Sequence, residues 1–321
     1  MFLRLVADSF GRRPRRKLLT GAALALGMAV VTAALSVALD VGDRLAKEFR
    51  SLGANLLITP QADSLPLEIG GVDFRPVNAG AYLPEGELGK LKTIFWRHTI
   101  MGFAPILEAQ AQYLNSQKTA GDPARYVNVE LIGTWSNHTV HIPDGSTFST
   151  GIEKTNPWWK VQGNLFSEGQ KECLVGITLA KRLGIGAGDK ILLNITDPSK
   201  MVQIFTPYKV TGTVSTGSSE DQAIVMPLAD VRRLGHLPEV YRRLYVSALT
   251  KPEDAFAKRD PKTFTPAEYD RWFCTPYISS IAFQIQQELP GTDVRVIRRV
   301  AEGEGQILTR VQLLLWLVTG V

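Results

Sequence analysis

The chain has 321 residues, 45% hydrophobic and 21% charged, with a formal net charge of +5. That length allows two domains, and the composition is ordinary globular with extra apolar mass gathered into two runs. Six basic residues, Arg4, Arg12, Arg13, Arg15, Arg16 and Lys17, precede the first run against the single acid Asp8; with no second basic patch and no aromatic interleaving, this excludes a nucleic-acid partner.

The first stretch, "MFLRLVADSF", puts Phe2, Leu3, Val6 and Phe10 near one helical face. It reads either as a short amphipathic helix in a membrane interface or as a frayed terminus. "LLTGAALALGMAVVTAALSVAL" (Leu18–Leu39) has 22 residues and no charge. As a helix it spans about 33 Å, enough to cross a bilayer. The cluster Arg12, Arg13, Arg15, Arg16 and Lys17 flanks it and puts residues 1–17 in the cytoplasm by the positive-inside rule. A competing reading is a twin-arginine export signal at "RRKLLTGAALA", cleaved near Ala34. Against cleavage, the apolar run exceeds the roughly 7–15 residues of a signal core. "DVGDRLAKEFRSLG" (Asp40–Gly53) also continues with helical periodicity at Leu45, Phe49 and Leu52, which predicts a stalk helix over 40–53.

"NLLITP" is a predicted strand ending at Pro60. "EGELGKLKTIFW" is expected as a helix with Leu88, Leu91 and Phe95 on one face. "ILEAQAQYL" and "RYVNVELIGTW" alternate as strands with one face buried. Composition turns polar at "SNHTVHIPDGSTFSTG" (Ser136–Gly151), an expected lobe boundary. Further on, "ECLVG", "KILLNIT", "YKVTGTVS", "AIVMP" and "RLYVSAL" are predicted strands. "ITLAKRLGIGAGD" and "LADVRRLG" are predicted helices stopped by Gly184 and Gly235. "YISSIAFQIQQELPG" is a predicted helix with Ile278, Ile281, Ile285 and Leu289 along one side, and "DVRVI" a predicted strand. The class is α+β, mixed or antiparallel strands with short helices in two lobes, rather than a doubly wound parallel sheet. The lobes are expected at 54–135 with 251–298, near the membrane, and at 136–250, inserted. A helix over 299–321 then runs into "VQLLLWLVTGV", which is about 16 Å of apolar helix where a span needs roughly 30 Å. The chain is therefore expected to be a piece of a longer protein, cut inside a second span.

The chemical motifs are few. "GELGKLKT" has its glycine–lysine pair at the wrong spacing for a phosphate-binding loop, and "GIGAGD" follows a helix and suits a helix stop. His138 and His141 form H-x-x-H with no further ligand nearby in sequence, so no metal is expected. Trp158 and Trp159 either stack on a ligand or, the commoner use, pack under a loop. Cys173 and Cys274, about a hundred residues apart, make neither a metal signature nor a disulfide framework; each is expected to fill apolar space, and one disulfide stays open. No serine, cysteine or acid has a visible base partner, so no catalytic residue is assigned.

Four stretches carry a resemblance: "LGANLLITP" (Leu52–Pro60), "GNLFSEGQKECLVGITLAKRLGIGAGDKILL" (Gly163–Leu193), "YKVTGTVSTGSSEDQAIVMPLADVRRL" (Tyr208–Leu234) and "LPGTDVRVIRRVAEGEGQIL" (Leu289–Leu308). In this order and spacing the chain resembles the permease subunits of MacB/FtsX/LolC-type ABC transporters. The resemblance implies a bacterial inner-membrane protein whose residues about 40–300 are periplasmic. It implies no cofactor on this chain, with ATP and Mg²⁺ bound and hydrolysed on a separate cytoplasmic ABC ATPase. It further implies a second permease chain, membrane lipid and a periplasmic or outer-membrane partner. Leu45, Phe49 and Leu52 would couple the motion through the stalk. The alternatives are an FtsX-like regulator of a periplasmic enzyme, an exported binding protein and an anchored periplasmic enzyme.

Overall fold

The computed structural model describes residues 19, 21–22, 24–25, 27–28, 32, 53–61, 68–69, 72–73, 81–115, 125–195 and 204–297. The chain divides into two compact units, residues 1–49 and 50–321. In the first unit, Leu19, Gly21, Ala22, Leu24, Ala25, Gly27, Met28 and Thr32 are helical and exposed. Among the described residues no helix is long and apolar enough to cross a membrane. Most of the expected span 18–39, the stalk positions 40–52, and 299–321 lie outside the described residues.

The second unit is built on strands. In chain order these are β1 (Leu56–Pro60), β2 (Glu68–Ile69), β3 (Val72–Asp73), β4 (Leu83–Pro84), β5 (Ile100–Leu114), β6 (Tyr126–Thr134), β7 (His138–His141) and β8 (Thr147–Thr150). There follow β9 (Lys160–Gly163), β10 (Glu172–Gly176), β11 (Lys190–Asn194), β12 (Thr206–Ser215), β13 (Ala223–Pro227), β14 (Val240–Tyr241), β15 (Arg243–Ala248) and β16 (Thr292–Val296). The helices are α1 (Ile152–Thr155), α2 (Ile177–Leu183), α3 (Leu228–Gly235), α4 (Pro266–Phe273) and α5 (Ile278–Glu288), with a 3₁₀ helix over Glu85–Lys92.

Ten strands form one mixed sheet in the order β11-β12-β10-β13-β6-β5-β15-β1-β16, with β9 beside β12. β10–β12 and β13–β6 are parallel and the other neighbours antiparallel. The organiser is β5. Its first half pairs with β15, its second half with β6, and its last residues also pair with β11 (Leu192 opposite Leu114). That contact closes β5, β6, β13, β10, β12 and β11 into a ring, which gives each of these six strands a neighbour on both sides, while β9 and β16 stand at edges. Segments expected as separate lobes thus contribute strands to one sheet; β15 and β13 sit beside β5 and β6.

Side-chain alternation along the strands separates two cores. From β5, Leu107, Ala109, Ala111 and Tyr113 join Leu131, Val175, Val210, Ile224 and Met226 in the larger core. α3 and α5 pack into it through Val231, Ile281 and Ile285. The opposite face carries Ala104, Ile106, Ile132, Leu174, Val214 and Val225 against Ile152 and Phe166. An aromatic cluster of Phe256, Phe264, Tyr269, Trp272, Phe273, Tyr277 and Phe283 holds α4 to α5. α4 begins with a capping box in which the Thr265 hydroxyl accepts from the Glu268 amide and Glu268 accepts from the Thr265 amide.

Several local expectations are corrected. Residues 85–92 form a 3₁₀ helix, not an α-helix; Leu88 and Leu91 are buried, but Phe95 lies past its end and is 59% exposed. α3 runs through Gly235, and the left-handed cap is His236 at φ 51°. Gly184 does cap α2, at φ 67°. The polar stretch at 136–151 is a β-hairpin, β7 with β8. Cys173 is buried, whereas Cys274 is exposed and fills no apolar space; both are free thiols.

Candidate functional site

The site residues expected from sequence, Arg12, Arg13, Arg15, Arg16, Lys17, Leu45, Phe49 and Leu52, all lie outside the described residues. What the structure does bring together is the place where the sheet domain meets the rest of the chain. Gly53 precedes β1 and Ile297 follows β16, and these strands pair antiparallel with Leu56 opposite Val296. The Ile297 amide donates to the Asn55 carbonyl at 2.8 Å, so the two ends leave the domain side by side.

Asn55 locks this corner. It is buried, and its side chain donates to the Ala248 carbonyl at 2.8 Å and accepts from the Ala248 amide at 3.0 Å. The carboxamide thereby imitates a strand partner across 193 residues of sequence and ties β1 to the end of β15. Gly53 adopts φ 72°, a conformation that disfavours a side chain. A Cβ there would meet the Trp158 ring at 2.4 Å and the Thr155 carbonyl at 2.5 Å.

Next to this corner, on the sheet face that carries the smaller core, lies a cleft of about 500 Å³. Strand register builds its floor. Arg243 lies opposite Ile106, and Glu108 opposite Ile132. Glu108 is therefore the diagonal neighbour of Arg243, and the two form an ion pair. Glu130, two residues before Ile132, points to the same face. Trp158, Trp159 and Tyr245 supply aromatic walls, and Ala54 and Ile297 line the side facing the chain's two exits. The two tryptophans divide the uses open to them: Trp159 packs against the smaller core, while Trp158, 42% exposed, borders open space.

The remaining wall is the turn Thr216–Glu220. Asp221 holds it, accepting from the Thr216 amide at 2.6 Å and the Gly217 amide at 3.3 Å. Glu220 accepts from the hydroxyls of Ser218 and Thr216, which fixes its carboxylate at the cleft. Burial, and then the nearby Glu220, push the Glu130 carboxyl above its ordinary range. Burial likewise raises the Tyr245 phenol. Glu130 has no hydrogen-bond or ion-pair partner among the described residues. Among the described residues of this face no nucleophile is paired with a base.

His138 and His141 stand at the two ends of β7. His138 stacks on Trp135 with ring centres 4.2 Å apart, and its Nδ1 meets Glu168 at 2.5 Å. Among the described residues no group of three or more His, Cys, Asp or Glu side chains could hold a metal ion.

The fold is thus a mixed α+β sheet closed around β5, with Gly53 and Ile297 leaving it at one corner. Residues 18–259 match the family described as the MacB-like periplasmic core domain, and the chain belongs to that family. Among solved structures, the chain is similar to the periplasmic region of MacB from Actinobacillus actinomycetemcomitans, with 11% identity, TM-score 0.45, and coverage of 83% of this chain and 98% of that one. It is also similar to the extracellular domain of the noncanonic ABC-type transporter YknZ from Gram-positive bacteria, with 13% identity, TM-score 0.43, and coverage of 76% and 99%. No curated protein matches the chain.

Proposed function

We propose that this chain is the permease subunit of an inner-membrane ABC transporter and works as a mechanical transmitter. A separate cytoplasmic ATPase binds ATP and Mg²⁺ and hydrolyses the nucleotide. Two permease chains, identical or different, stand side by side with residues 1–17 in the cytoplasm. Closure of the ATPases shifts the spans, and the stalk of residues 40–53, with 299–321 beside it, carries the shift to the periplasmic domain. The chain itself performs no catalysis, and its substrate is exported or handled on the periplasmic side, with a periplasmic or outer-membrane partner to receive it.

The observation that carries this reading is the joining of the two chain exits through Asn55 and Ile297. A domain hung from two adjacent rods follows their common motion as a body. Its exits are pinned by buried hydrogen bonds, and Gly53 is a tightly packed turn with Trp158 pressed against it. Force applied at Gly53 therefore reaches the sheet rather than dissipating in a loose linker.

The test replaces Leu45, Phe49 and Leu52 together with glycine in the full permease, reconstituted in liposomes with its ATPase. Glycine costs each helical position roughly 1 kcal/mol and softens the rod. The expected result is ATP hydrolysis that persists while substrate handling is lost. Handling that stays at the wild-type rate would sink the mechanical reading.

A further inference from the structure

The cleft beside the chain's two exits carries more charge chemistry than a structural crevice needs. Three of its lining residues are carboxylates, Glu108, Glu130 and Glu220, against one cation, Arg243. The Arg243 guanidinium is committed to Glu108. Among the described residues Glu220 is held by hydroxyls alone, and Glu130 stands near it without a counter-charge. Two carboxylates repelling each other on a half-covered surface cost stability, and neither serves any hydrogen bond that holds the strands together. Around them the walls are aromatic and the floor, Ile106 and Ile132, is apolar.

We infer that this cleft binds an organic cation with an apolar body: a quaternary or protonated amine whose charge sits between Glu130 and Glu220 and whose hydrocarbon or aryl part lies along Trp158 and Tyr245. The volume of about 500 Å³ falls within the range of small-molecule sites. Aromatic faces attract cations through the ring quadrupole and offer apolar contact to the rest of the ligand. Among the described residues an anion finds no free partner in the cleft, since Arg243 is paired with Glu108. The turn Thr216–Glu220 is pre-shaped by Asp221, so the acidic wall does not have to be ordered on binding.

The assignment takes the cleft as the functional site but does not depend on coupling to an ATPase. Binding is measured on the full chain in neutral detergent with no ATPase present, so the failure of one reading leaves the other standing. Benzyltriethylammonium is titrated by calorimetry and by tryptophan fluorescence, with benzenesulfonate as the anion of similar size, at about pH 8, where an exposed carboxylate is ionised. The cation is expected to bind and the sulfonate not to. The E130Q/E220Q double substitution should weaken the cation by roughly tenfold or more, since two charges are removed. Trp158→Leu should weaken it severalfold, with the melting temperature read alongside because the ring also packs on Gly53, and so gives a second readout should the double variant fold poorly. Equal affinity for cation and sulfonate, unchanged cation affinity in both variants, or no cation binding at millimolar concentration would each overturn the assignment.

Discussion

Two residues show how much of the domain hangs on single side chains. Asn55 makes two buried hydrogen bonds to Ala248, and its own backbone joins Val246 and Ile297. Truncation to alanine leaves the Ala248 amide and carbonyl without partners inside the fold. Each stranded group costs about 1–3 kcal/mol, so Asn55→Ala is expected to lower unfolding stability by about 2–6 kcal/mol, measured by denaturant titration. Lys92 is the second. Its ammonium donates to the Arg97 carbonyl at 2.6 Å and the Ile100 carbonyl at 3.0 Å and sits 4.1 Å from the centre of the Phe148 ring. Burial, with Lys154 and Arg97 adding like charge, lowers its pKa to about 8. Between that value and the ordinary 10.5 the unfolded chain holds a proton that the folded chain has released. Stability from this group therefore rises with pH across the window, and the cost of the buried charge is fully present below it. Side-chain NMR should show Lys92 titrating near 8, and Lys92→Met should abolish its share of the rise; a midpoint at the ordinary lysine value would refute the burial argument.

At the scale of elements, most strands of the large sheet are legible because each buries one or both faces and so alternates or runs apolar; "ECLVG", "AIVMP" and "RLYVSAL" all form strands in the expected places. The misses have physical reasons. β7 and β8 carry few apolar residues, since the hairpin lies at the surface, and its polar content reads as a loop. α3 keeps Gly235 as its last residue because the Leu237 amide still finds the Arg232 carbonyl, at 2.9 Å, and His236 takes the left-handed turn. The region 251–276 drew no helix or strand expectation, although Thr265 and Glu268 spell a capping box and five aromatic residues follow Pro252 within it. Trp272 is the centre of that small core, 1% exposed and in ring contact with Phe264, Tyr269 and Phe283. Trp272→Ala is expected to cost about 3–5 kcal/mol. Because the cluster is separate from the two sheet cores, hydrogen exchange should quicken over 253–283 before it does over β5 and β6. Little of the candidate site is legible in the sequence. Glu108, Glu130, Glu220 and Arg243 come from four segments, and only strand register makes them neighbours. The two tryptophans are the one local signal, and packing is the commoner use of such a pair.

For the whole molecule, sidedness is the claim on which the permease reading stands, and two native thiols can report it. Cys274 is exposed on the domain, whereas Cys173 is fully buried and its thiol is pushed far up by burial, so it stays protonated and inert. A membrane-impermeant maleimide added to spheroplasts should label Cys274, and the Cys274→Ser chain should take up none until denatured. Labelling that appears only after lysis would put the domain on the other side of the membrane and end the proposal. The same reagent tests the fold, since Cys173 should react only on unfolding.

The pairing of β1 with β16 has a mechanical corollary. Both strands are loaded from the same end, where Leu56 faces Val296 and the ladder closes with Ile297 on Asn55. If both leads are drawn the same way, every rung of the ladder travels together and none is stressed. If the leads are splayed apart, the rungs break in turn like a zip, starting at Ile297, and each resists alone. The joint is stiff toward a shared stroke and weak toward divergence, so on the proposed mechanical reading a permease pair gains from keeping each chain's two stalks clasped throughout the cycle.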